Sequence, residues 1–115
     1  MIVEPIYLDH NGVGACSYVP VHHPMYGHRY QVEAPDGRTL AVLNFQEGPV
    51  PANGVNGVTN ETLIAVLIHR LEVLNAKVAC EENTQAIFYL HEALSALESR
   101  TKQRMARGVE GHEKE

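Results

Sequence analysis

The sequence predicts an α+β fold in which a small antiparallel β-sheet or hairpin precedes two antiparallel α-helices, assembled as an oligomer. Three observations carry that expectation. Strand-like runs flank a Pro-Asp-Gly turn between residues 29 and 47, and the apolar pattern takes on a helical period after Thr59. A further stretch then repeats its apolar residues in steps of three and four. The 115 residues are expected to form a single domain that buries roughly two-thirds of its unfolded surface.

Residues 1–28 read as an N-terminal extension of loop or edge-strand character. Short apolar pieces from Ile2 to Leu8 give way to a turn-like His10-Asn11-Gly12 and a His-rich stretch from His22 to His28. Residues 29–47 read as a β-hairpin. Arg29–Glu33 and Arg38–Gln46 bracket Ala34-Pro35-Asp36-Gly37, where Pro35 presets its φ and Gly37 accepts a positive one. Leu40, Val42 and Asn44 alternate with Ala41, Leu43 and Phe45, so both faces are partly apolar. From Glu47 to Gly57, Pro and Asn-Gly pairs punctuated by valines indicate an ordered turn system.

Residues 59–76 are expected to form the first helix, with Thr59 or Asn60 as cap and Glu61 at the positive end of the dipole. Its Leu63, Ile64, Val66, Leu67, Ile68, Leu71 and Leu74 cover more than half the circumference. Such a helix needs apolar cover on more than one side. The second helix is expected over residues 80–107, with Gly108 as its stop and residues 108–115 as a frayed tail. Ile87, Leu90, Leu94 and Leu97 form its stripe, which reaches back to Asn83 and on to Thr101 and Arg104. That spacing suits an antiparallel pair and self-association.

Composition narrows the function. A net charge of −5 argues against general affinity for DNA, RNA or anionic lipid. Aromatic residues make up 6% of the chain and Trp is absent, so no broad stacking platform is expected. The apolar run Leu63–Ile68 is far short of the roughly 20 residues a bilayer demands. Glu4 and Asp9 interrupt the N-terminal apolar pieces, against a secretory signal. Cys16 and Cys80 make neither a disulfide framework nor a CxxC site, so a soluble cytosolic domain is expected.

The basic residues are not evenly spread. Arg100, Lys102, Arg104 and Arg107 fall within eight positions with no acid between them. Arg100 and Arg104 are one helical turn apart, a spacing at which two guanidinium forks hold a pyrophosphate. Equally, cations near a helix C-terminus satisfy the dipole and solvate a face. Asn83 on the apolar stripe needs a hydrogen-bonding partner, whether a backbone group, a cap position or a base or ribose edge.

Other chemistry finds no complete set. His22, His23 and His28 lie downstream of Cys16, but no second cluster closes a tetrahedral metal site. His69 and Glu72 lack the HExxH frame. Ser95 and Ser99 sit on no nucleophile elbow, Cys80 has no assigned His partner, and Glu81 and Glu82 suit first-turn dipole partners. No catalytic residues, metal or cofactor are expected.

The runs Asn53–Glu61, Arg70-Leu71, Ala79–Asn83, Arg100–Arg104 and Arg107–Gly111 together resemble the phage anti-Thoeris sponge family. The resemblance spans Phe45 to Gly111, near two-thirds of the chain. It implies a non-enzymatic, phage- or prophage-encoded protein acting in the host bacterial cytoplasm. Its partners would be cyclic ADP-ribose isomers (gcADPR) of Thoeris immunity, and for some members the cyclic oligonucleotides of CBASS. It implies a homodimer or hexamer with the pocket between subunits, and no DNA or membrane partner. Carried over by motif, Asn83, Arg100 and Arg104 would contact the ligand. The family's base-stacking aromatic falls at or near Leu74, a departure. Leu74 and Ile87 would then supply apolar walls, with Arg107 as a further cation. The rival readings are a phage assembly protein without a nucleotide ligand and a messenger-degrading enzyme.

Overall fold

The structure, a computed structural model, describes residues 4–106. By its contacts the chain divides into two compact units, Met1–Val58 and Thr59–Glu115. The first is a four-stranded antiparallel sheet in sequential order: β1 (Glu4–Leu8), β2 (Gly14–Ser17), β3 (Arg29–Glu33) and β4 (Thr39–Asn44). The segment read as an extension thus supplies half of the sheet.

Local chemistry accounts for each turn. Between β1 and β2, the Asp9 carboxylate accepts the amides of Asn11 (2.8 Å) and Val13 (3.0 Å), and Gly12 takes φ +83°. Between β3 and β4, Gly37 adopts φ +88° and its amide returns to the Ala34 carbonyl at 2.9 Å. Cross-strand register sets the faces, since directly opposed residues share a side. Ser17, Tyr30 and Leu43 stand in one row on one face. Tyr30 packs edge-to-face on Phe45 there, with ring centroids 5.7 Å apart. Cys16, Gln31 and Val42 form the corresponding row on the other face.

After β4 a short helix, α1 (Val50–Asn53), sits inside the expected turn system. The loop is held by carboxamides that substitute for a strand. Asn56 exchanges two hydrogen bonds with the main chain of Glu47, at 2.8 and 2.9 Å, while Gln46 donates to the Gly48 and Gly54 carbonyls. Val58 then bridges Phe45 in parallel. Gly57 has no room for a side chain there, because a Cβ would lie 2.5 Å from the Phe45 carbonyl carbon.

The second unit is a helical hairpin, α2 (Asn60–Lys77) and α3 (Glu81–Ala106). Thr59 caps α2 by accepting the Thr62 amide at 3.2 Å, and Glu61 sits in the first turn. Pairings of Asn75 with Thr84, Glu72 with His91 and Glu61 with Thr101 establish the antiparallel sense. Asn83, Ile87, Leu90, Leu94, Leu97, Thr101 and Arg104 are all half-buried, the stripe expected from their spacing. Glu61, Ile64, Ile68, Leu71 and Asn75 form a matching, less exposed stripe on α2. Ile68, 5% exposed, is the buried residue among the described part of this hairpin.

Candidate functional site

Each end of the hairpin seam is polar. At the hinge, Asn75 locks the three-residue connection. Its Oδ1 accepts the Cys80 amide at 3.0 Å, and its Nδ2 donates to Thr84 Oγ1 at 3.3 Å. The Asn83 amide donates to Cys80 Sγ at 3.4 Å, so Cys80 acts as the sulfur cap of α3. The Asn83 carboxamide is half-buried and has no hydrogen bond among the described residues. Ile87 lies one turn further along the seam, and Leu74, 37% exposed, lies in the last turn of α2 on its open flank.

At the opposite end, Thr101 donates to the half-buried Glu61 carboxylate at 3.4 Å. Arg104 continues the same stripe, and Arg100 is exposed on its flank. Arg107 lies outside the described residues.

The structure therefore brings the candidate residues together in two groups rather than one. Asn83, Ile87 and Leu74 gather at the hinge, while Arg100 and Arg104 share the far end. Seventeen and twenty-one residues of continuous α3 separate Asn83 from Arg100 and Arg104. At 1.5 Å per residue those intervals are roughly 25 and 32 Å. Two full helix diameters, at about 10–12 Å each, fit in that space. No compact ligand spans it within one chain.

The flanks of the hairpin differ in chemistry. Stepping 100° per residue around antiparallel helices places Leu63, Leu67 and Leu74 on the same side as Tyr89, Ala93, Ala96 and Arg100. Leu67 is 48% and Tyr89 66% exposed, so this side is apolar and open within the chain. The opposite side carries the Glu72–His91 contact at 3.8 Å and a hollow lined by Glu61, Glu98, Thr101 and Lys102. Asn75 and the small residues Ala93 and Ala96 were not singled out by the sequence reading. Asn75 was findable, because it continues the Ile64, Ile68, Leu71 spacing.

Among the described residues no group of three metal-ligating side chains converges. His23 Nδ1 accepts the Met25 amide at 3.0 Å, a local turn contact, and Glu81 and Glu82 occupy the first turn of α3. No helix in the described residues is long and apolar enough to cross a membrane.

An antiparallel sheet followed by a helical hairpin with segregated polar ends defines a small α+β hairpin protein. The family model described as Acb2/Tad1, hairpin domain, matches residues 40–102. A relative named Thoeris anti-defense 1, from Bacillus phage SBSphiJ7, is 47% identical over 97 residues. That match covers 82% of this chain and 68% of the relative. The chain belongs to the Acb2/Tad1 hairpin-domain family.

Proposed function

We propose that this chain is a phage anti-Thoeris protein that sequesters a cyclic ADP-ribose isomer without catalysis, in a pocket shared by two copies. The kinship with Thoeris anti-defense 1 supports the biological role. The observation that carries the shared pocket is the separation of Asn83 from Arg100 and Arg104 along one rigid helix. Two copies of α3 packed antiparallel about a two-fold beside Ala93 bring Asn83 of one copy opposite position 103 of the other, between the two arginines. Such an isologous contact creates two equivalent pockets. The exposed Leu67 and Leu74, with the small Ala93 and Ala96, supply an apolar and closely approachable surface for it.

Each pocket then holds one compact dianion. Arg100 and Arg104 present paired donors to a diphosphate, and desolvation strengthens those bonds. Asn83 offers a donor and an acceptor to a base or ribose edge, while Leu74 and Ile87 wall the adenine. Nothing in this arrangement transfers a proton or attacks a bond, so the ligand leaves unchanged. CBASS cyclic oligonucleotides are the second ligand class of the proposal.

Purified full-length protein mixed with a cyclic ADP-ribose isomer should deplete the free ligand, and heating should return it intact. A cleaved product supports the enzyme reading instead. Absence of binding to either ligand class supports an assembly protein.

A further inference from the structure

The sheet carries a second chemistry, independent of the helical hairpin. On the face that holds Cys16, a groove of about 440 Å³ runs along β1 and β2, lined by Pro5, Ile6, Leu8, Gly14, Cys16 and Glu33 among others. Gly14 keeps its floor low. A Cβ there would meet Leu8 Cδ1 at 3.6 Å, and Gly14 pairs directly with Glu33 on β3. The Glu33 carboxylate thus stands at the end of an otherwise apolar channel, braced by a 2.7 Å hydrogen bond from Gln31 Nε2. Burial and the negative charge of Glu33 hold the Cys16 thiol above its ordinary range. The thiol keeps its proton and donates towards the Gln31 carbonyl at 3.6 Å. Glu33 is therefore the formal charge among the described residues that line the groove.

We propose that this groove binds a small organic ammonium ion, its apolar body along Leu8 and Pro5 and its charged nitrogen on Glu33. The volume lies within the range of small-molecule pockets, which pair an apolar lining with a few placed polar groups. Charge complementarity selects the cation. An extended peptide is disfavoured, because Pro5 and the bulge between Pro5 and Tyr7 break the ladder that strand addition needs along β1. The ligand is opposite in sign to the one proposed for the hairpin, so the two sites do not compete.

Phenethylamine, 2-phenylethanol and 3-phenylpropionate share an aromatic body and differ in charge, and each is titrated into the full-length protein. Backbone amide shifts of Gly14, Cys16 and Glu33 should saturate with the amine, at an affinity at least fivefold above that of the alcohol. The carboxylate should leave them unmoved. Amine should also slow alkylation of Cys16 while leaving the exposed Cys80 unaffected. Glu33→Gln keeps the brace with Gln31 and should erase the preference for amine over alcohol. Gly14→Val should fill the groove and abolish both responses. Equal binding of all three probes, or a Glu33→Gln protein that still prefers the amine, overturns the proposal. So does the lack of any saturable shift. A cyclic ADP-ribose isomer added to the same sample reports on the hairpin site separately, so failure at one site leaves the other legible.

Discussion

The pocket proposed between opposite ends of two chains predicts complementation between two inactive proteins. Asn83→Ala removes the amide partner from one end, and the double change Arg100→Ala with Arg104→Ala removes the cations from the other. Hydrogen bonds to charged groups contribute about 1.5–3 kcal/mol each. Loss of both arginines should therefore cost at least ~3 kcal/mol, more than a hundredfold in affinity. Mixed in equal amounts and allowed to exchange, half of the dimers become heterodimers. Each heterodimer has one pocket with both defects and one with neither, so about one quarter of wild-type capacity should return. Isothermal titration with a cyclic ADP-ribose isomer before and after mixing measures this directly. If all the residues of a site lay in one chain, mixing would restore nothing. A mixture that stays inactive despite proven subunit exchange rules out a pocket shared between chains.

Other expectations concern what stabilises each unit by itself. Asn75→Ala deletes the bonds to Cys80 and Thr84 and should cost about 1–2 kcal/mol, read as a lower melting temperature, with Asn75→Asp partly restoring the acceptor. Ile68→Ala leaves a cavity at the buried centre of the hairpin and should cost about 2–5 kcal/mol by chemical denaturation. Gly57→Ala forces a Cβ against the Phe45 backbone, and overpacking of this kind costs about 1–3 kcal/mol, visible as a melting shift with loss of the Phe45–Val58 bridge. The hydrogen bond to Glu4 holds the Tyr26 phenol above its ordinary range. A raised folded-state value means stabilisation that is present below the usual tyrosine range, about 10, and lost as pH rises through the folded value. Melts between neutral pH and pH ~11 should show that loss in the wild type and not in Tyr26→Phe.

The helices were legible because their evidence is periodic. Steps of three and four from Ile87 to Leu97 placed Asn83, Thr101 and Arg104 on the seam, and all three are half-buried there. The hairpin of β3 and β4 was legible from Pro35 and Gly37, whose turn chemistry is local. The first two strands were not. Gly14-Ala15-Cys16-Ser17 has weak strand propensity, and the bulge after Pro5 breaks the alternation of β1. Their partners are set by the sheet rather than by their own composition. Inside the loop, α1 was hidden by two prolines, of which Pro49 caps the helix and Pro51 falls in its first turn. For the proposed site, residue types and spacing pointed to Asn83, Arg100 and Arg104. Their distribution to opposite ends follows from helix length, and only the fold adds which flank is apolar and what Asn75 holds in place.

Native mass spectrometry of the full-length protein with a cyclic ADP-ribose isomer reads out the shared, non-catalytic pocket. Such a pocket should give even multiples of the 12.7 kDa chain, each pair of chains carrying up to two ligands of unaltered mass, released whole on denaturation. A ligand held by a single chain, or a bound species with the mass of an opened or hydrolysed ring, contradicts it.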